Sequence, residues 1–191
     1  MNHLEIEFKT LLSEENYQKL LPLFADVAAT KQVNYYMDTA DRAMRKARIA
    51  IRIRTYPDYA ELTVKIPQKN SVGNMEYNQK LTLVEAEKII SGHPLPKGQI
   101  NHLLTERGIP VEKLAVLGSL TTVRYELEHE IGLLALDKSH YFDKTDYELE
   151  VEVSDEKAGK LAFEKFLAKN HIPYQAAPSK LARFTQNLAN S

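Results

Sequence analysis

The segment Tyr147 to Val153 alternates without exception, setting Tyr147, Leu149, Val151 and Val153 against Glu148, Glu150 and Glu152. Only an extended strand, whose successive side chains point to opposite faces, separates two such sets. Carboxylates at every second position of one face repel one another unless a cation or a basic neighbour compensates. The same period runs through the rest of the chain. Leu4 to Leu12 sets Ile6 and Phe8 against Glu5, Glu7 and Lys9, and Ala47 to Tyr56 sets Ile49, Ile51 and Ile53 against Ala50, Arg52 and Arg54. Ala60 to Ile66 opposes Leu62, Val64 and Ile66 to Thr63 and Lys65, and Asn74 to Val84 carries Tyr77 between Glu76 and Asn78. Leu117 to Glu130 opposes Val123, Tyr125 and Leu127 to Arg124, Glu126 and Glu128; Leu133 to Tyr141 follows with Asp137 and Ser139, and Val33 to Met37 gives a further strand signal.

An antiparallel sheet with one wet face shows alternation of this kind. Here, however, the polar faces concentrate charge, and the opposite faces are richly apolar. Amphipathic helices are available to cover those apolar faces: Glu14 to Phe24 behind a Ser13 cap, Glu85 to Gly108 broken by Gly92, Pro94, Pro96 and Gly98, Asp155 to Asn170, and a short Ser179 to Leu188. A barrel with its charged face inward and its apolar face under helices satisfies both observations. The expected fold is therefore α+β, a closed eight-stranded antiparallel β-barrel with helices packed on the outside. With no linker or repeat to divide it, the chain is expected to form one domain over residues 1–191.

Composition narrows the function. Apolar residues make up 43% of the chain and charged residues 27%, enough to bury a core. Lys plus Arg number 25 against 26 Asp plus Glu, so net charge gives no reason to expect a nucleic-acid or membrane partner. The absence of cysteine removes disulfides, thiolate metal sites and cysteine nucleophiles, and it suits a reducing compartment. With a charged N-terminus and no apolar run of about 18 residues, a cytoplasmic protein is the expectation. The six histidines show no paired ligand spacing, and the seven glycines form no phosphate loop, dinucleotide fingerprint or nucleophile elbow. What remains is a face of carboxylates suited to a hard divalent cation and of Arg and Lys suited to a polyanion.

The opening Glu5-x-Glu7-x-Lys9, the Arg52-x-Arg54 pair, Lys65, Glu76, Arg124, Asp137, the Glu148-x-Glu150-x-Glu152 strand and the late Ser179-Lys180 together resemble the CYTH family of triphosphate tunnel metalloenzymes. The likeness spans about residues 3 to 185 and keeps the family's order. It implies a tunnel that binds a triphosphate-containing small molecule with Mg²⁺ or Mn²⁺, and a divalent-metal-dependent triphosphatase acting on inorganic, thiamine or nucleoside triphosphate. By that resemblance, Glu5, Glu7, Asp137, Glu150 and Glu152 take the metal, and Lys9, Arg52, Arg54, Lys65, Arg124 and Lys180 line the phosphate track. Glu5, Glu7, Lys9, Lys65 and Glu76 form the catalytic set, with Glu76 holding a basic neighbour in place.

Which two of Glu148, Glu150 and Glu152 face the metal stays open at this stage. The family's class IV adenylate cyclases are one alternative, and a non-catalytic polyphosphate- or nucleotide-binding module is another. Nothing in the sequence signals an oligomeric state.

Overall fold

The computed structural model describes residues 2–68 and 73–188. In chain order these form β1 (Asn2–Leu12), α1 (Glu14–Leu20), β2 (Thr30–Asp38), α2 (Ala43–Lys46), β3 (Ala50–Thr55), β4 (Ala60–Pro67), β5 (Asn74–Leu81), α3 (Leu83–Ile90), α4 (Gln99–Thr105), β6 (Ala115–His129), β7 (Gly132–Tyr141), β8 (Lys144–Val153), α5 (Glu156–Lys169) and α6 (Lys180–Leu188). The strand order β1-β5-β4-β3-β2-β6-β7-β8 closes on itself as a barrel. The expected α+β architecture on a closed eight-stranded antiparallel sheet is borne out. No helix among the described residues is long and apolar enough to cross a membrane.

The chain forms two compact units, one built on Gln32–Leu120 and the other on Glu5–Lys31 with the chain from Thr121 onward. In the first unit, β2, β3, β4 and β5 pair in sequence order, each antiparallel to the next. Their apolar face presents Ile51, Ile53, Leu62 and Val64, which pack with Ala86 and Ile89 of α3 and Ile100 and Leu104 of α4. Burying each large aliphatic side chain stabilises the fold by about 1.5–3 kcal/mol. The register places Arg54 beside Asn34, Arg52 beside Thr63 and Lys65 beside Glu76 on the other face.

In the second unit, β1, β8, β7 and β6 pair in that order. Leu134, Leu136, Leu149 and Val151 pack against Phe163, Phe166 and Leu167 of α5 and Tyr17 and Leu20 of α1. Gly159 lets α5 lie close to β8, since a Cβ there would sit 2.5 Å from Val153 Cγ2. The opposite face sets Lys9 beside Glu150, and Asp137 between Glu148 and Arg124. Helix α6 approaches the sheet from this charged side. Ser179 caps it, with its Oγ accepting from the Ala182 N–H at 3.1 Å, and this fixes Lys180 at its first turn.

Several boundaries differ from the sequence expectation. The strand expected over Asn74 to Val84 stops at Leu81, because Thr82 and Glu85 form a reciprocal capping box that draws Leu83 and Val84 into α3. Helix α1 ends at Leu20, and a 3₁₀ turn containing Pro22 continues to Phe24. The strand expected from Ala47 begins at Ala50. The preceding stretch is tied into α2 by the buried Asp38, whose carboxylate accepts from the N–H groups of Thr39, Met44 and Arg45.

Candidate active site

The charged face of the second unit is a network of buried ions. Arg124 donates from Nε and Nη2 to the two oxygens of Asp137, at 2.8 and 2.6 Å, and its Nη2 also reaches Glu150. Lys180 Nζ lies 2.6 Å from Glu150 Oε1, 2.8 Å from Asp137 Oδ2 and 3.4 Å from Glu148 Oε2. One helical turn on, Arg183 donates to Glu148 and to the Pro178 carbonyl, and it pairs with Asp146 at 3.0 Å. On β1, Lys9 Nζ lies 2.5 Å from Glu7 Oε1. Asp137 is wholly buried and Glu148 almost so.

These groups set one another's charge. Burial opposes ionisation of Glu150, but Lys180, Arg124 and Lys9 hold its pKa well below the carboxylate range. Burial likewise opposes ionisation of Asp137, and Arg124 and Lys180 outweigh it. Glu148 goes the other way: burial, aided by the Glu150 charge, pushes it up to about 7 against the pull of Lys180 and Arg183. Burial would lower Lys9, yet Glu7, Glu150 and Glu148 keep it above its ordinary value.

In the first unit, Lys65 Nζ lies 3.0 Å from Glu76 Oε2, and Asn78 Nδ2 donates to Glu76 Oε1 at 2.8 Å. Asn78 in turn accepts from Thr63 Oγ1 at 2.8 Å. Arg54 Nε donates to Asn34 Oδ1 at 2.8 Å. Arg52 presents a buried Nε with no hydrogen-bond partner among the described residues. Burial works against the charged form of Glu76, but Lys65 and Arg52 outweigh it and hold Glu76 down at about 2.

A depressed carboxylate pKa stabilises the folded state fully above the ordinary value of 4.5, and that contribution is lost as pH falls through about 2. Glu76→Gln is accordingly expected to lose about 3 kcal/mol of stability at neutral pH. Urea unfolding in steadily more acid buffer should bring variant and wild type together. A gap that stays constant down to the most acid buffer would show that the carboxylate charge is not what stabilises.

The structure brings Lys9, Glu7, Arg124, Asp137, Glu150 and Lys180 into the second unit's network, and Arg52, Arg54, Lys65 and Glu76 onto one face of the first unit. Glu152 shares that second-unit face further along β8, opposite Glu7. Sequence reasoning gave no site role to Arg183, Asn34, Asn78 or Thr63, and it left Glu148 undecided among its neighbours. Parity could have found the strand residues, and Arg183 stands three residues from Lys180 on the same helical face.

The donor set suits a hard cation: it is all oxygen, and Glu148 Oε1 is buried without a hydrogen-bond partner among the described residues. No three acidic or histidine groups among the described residues already stand around a common point. The reason is visible in the network, where Arg124, Lys180 and Arg183 neutralise Asp137, Glu148 and Glu150.

Residues 3–185 match the CYTH domain as a sequence family. A Bacillus subtilis protein named "Putative triphosphatase YjbK" is 34% identical over 190 residues, covering 98% of this chain and 97% of its own length. Among solved structures, one named as a putative adenylate cyclase from Bacillus halodurans superposes with a TM-score of 0.89 at 32% identity, covering 96% of this chain and 98% of the other. HpAC1 from Hippeastrum superposes with a TM-score of 0.83 at 27% identity over 96% of each chain, and it is described as a putative adenylyl cyclase with a dominant triphosphatase activity.

Proposed function

The chain belongs to the CYTH domain family, and from that premise we propose that it is a divalent-metal-dependent triphosphatase, hydrolysing inorganic triphosphate or a small organic triphosphate with Mg²⁺ or Mn²⁺. The two compact units act as one catalytic domain. The observation that carries this reading is the buried interleaving of Asp137, Glu148 and Glu150 with Arg124 and Lys180. Taking ions out of water costs several kcal/mol each, and an apolar pair of similar volume would stabilise the fold as well or better. A fold that keeps such a network uses it for something other than stability.

Phosphoryl transfer to water asks for positioning and charge neutralisation more than for covalent chemistry by the protein. In this account Arg52, Arg54 and Arg124 grip phosphate oxygens through paired N–H groups, and Lys9, Lys65 and Lys180 act as compact point charges. Glu76 holds Lys65 extended at its pairing distance of 3.0 Å. Glu5, Glu7, Asp137, Glu150 and Glu152 would hold the metal, joined by Glu148, whose Oε1 is the open ligand atom. The bound ion supplies Lewis-acid polarisation of phosphate oxygens and an acidified water. Because the chain's own cations already neutralise these carboxylates, added divalent charge needs a polyanion to share those cations. Metal and triphosphate are therefore expected to strengthen one another's binding.

The names of two structural neighbours make cyclase chemistry the competing outcome. Tripolyphosphate, thiamine triphosphate and ATP should each be incubated with Mg²⁺ or Mn²⁺, with released phosphate and cyclic AMP both measured. Phosphate release without cyclic AMP is expected. Cyclic AMP as the main product from ATP would replace this reading with a cyclase, and tight binding without turnover would replace it with a binding module.

A further inference from the structure

Asn34 stands on β2, on the face of the sheet that carries Arg52 and Arg54 of β3, and bears no charge. Asn34 is 1% exposed, and its register partner on β3 is Arg54. Its Oδ1 accepts from Arg54 Nε at 2.8 Å, which fixes the orientation of the amide, since the reverse orientation would set donor against donor. Its Nδ2 is buried and has no hydrogen-bond partner among the described residues. Two residues from Arg54 on the same face of β3, the buried Nε of Arg52 is in the same condition.

A buried donor left without an acceptor is costly, and native structures rarely keep one without a reason. Here two such donors occupy adjoining strands on one face, beside a third that is locked in place. Donors of this kind call for an acceptor-rich, anionic ligand, and a phosphate oxygen meets that description.

We propose that Asn34 is a substrate-binding residue: its Nδ2 donates to a phosphate oxygen of the bound triphosphate next to Arg52, while its Oδ1 holds Arg54 in line. This assignment rests on the triphosphate reading of the site. It also accounts for the residue type. An aspartate would hold Arg54 equally well, but it would turn a negative oxygen toward the phosphates, whereas a leucine would abandon both contacts. Of these three side chains, the neutral amide alone offers an acceptor to the guanidinium and a donor to the ligand.

Two roles must be told apart, donating to the ligand and merely orienting Arg54. Inorganic tripolyphosphate binding should be measured by calorimetry in EDTA for the wild type, Asn34→Ala, Arg54→Ala and the double variant. If Asn34 acted only through Arg54, its removal would change nothing once Arg54 is gone. The expected result is a further loss of about fivefold or more in the Arg54→Ala background, from the missing donor. Equal affinities for Arg54→Ala and the double variant would overturn the proposal.

Asn34→Asp provides a variant of unchanged shape that retains the acceptor for Arg54. It should bind tripolyphosphate at least tenfold more weakly than the wild type, and wild-type affinity in this variant would also overturn the proposal. Absence of tripolyphosphate binding by the wild type in EDTA would overturn the proposal, and absence with Mg²⁺ or Mn²⁺ as well would overturn the triphosphate reading with it. Binding with the expected losses but without phosphate release on adding Mg²⁺ or Mn²⁺ would overturn hydrolysis alone and leave Asn34 supported.

Discussion

Asp137→Asn is expected to lower the free energy of unfolding by about 3–5 kcal/mol, the cost of removing one partner from a buried ionic network. Asp137 has no exposed surface. Both its oxygens accept from Arg124, and one of them also pairs with Lys180. The amide keeps the shape of the side chain but offers one acceptor oxygen in place of two, and it turns an N–H₂ toward a guanidinium. Two buried cations would then share Glu150, and neither could retreat to solvent, since Arg124 is anchored on β6 and Lys180 on the capped start of α6. Urea unfolding monitored by circular dichroism should show a lower midpoint with an unchanged slope. A loss below about 0.5 kcal/mol, the range of ordinary surface substitutions, would mean that the network is solvated and contributes little to holding α6.

Glu7→Gln is expected to do the opposite: to leave stability nearly unchanged while reducing metal-dependent phosphate release by a hundredfold or more. Glu7 is about a fifth exposed and pairs with Lys9 near the edge of the network, so its charge is poorly placed to stabilise the fold. A hard cation, by contrast, needs the negative oxygen that the amide lacks. Losses of ten- to a hundredfold already follow from altering groups that only support a ligand, and a ligand itself should cost more. Glu5→Gln should behave alike. Phosphate release at wild-type rates under both limiting and saturating Mg²⁺ would remove Glu7 from the metal set. Together with Asp137→Asn, this variant separates a carboxylate whose loss loosens the network from one whose loss acts on the reaction alone.

Much of this organisation was legible because strand parity is a local property. Glu5, Glu7 and Lys9, or Arg52 and Arg54, share a face wherever their strand lies, and the apolar residues between them define the opposite face. The charged faces were therefore readable residue by residue. What was not legible depends on register and docking. Nothing in the run from Glu148 to Glu152 says which carboxylate meets Asp137. That choice is set by the β7–β8 register, which pairs Asp137 with Glu148 and Ala135 with Glu150.

Helix α6 illustrates the same limit. Resemblance alone set its Lys180 on the phosphate track and gave Arg183 no role; only the docking of the helix against β8 makes both of them buried partners of carboxylates. Asn34 was passed over for a different reason. Counting charges cannot find a neutral amide, and its importance lies in an acceptor bound to Arg54 and a donor without a hydrogen-bond partner among the described residues. The boundary errors at Leu81 and Ala50 came from side-chain caps, where Thr82 with Glu85 and Asp38 redirect backbone that alternates well enough to pass for strand.

Phosphate release from inorganic tripolyphosphate is the sharpest test of the proposal that these charged faces serve metal-dependent triphosphate hydrolysis. The protein should first be stripped with EDTA and dialysed, and Mg²⁺ or Mn²⁺ then returned in increasing amounts. No release is expected in chelator, with release that rises to a plateau as metal is added and a tripolyphosphate affinity that tightens with the metal. Equal release with and without chelator, or binding that never leads to release at any concentration of either metal, would contradict the proposal.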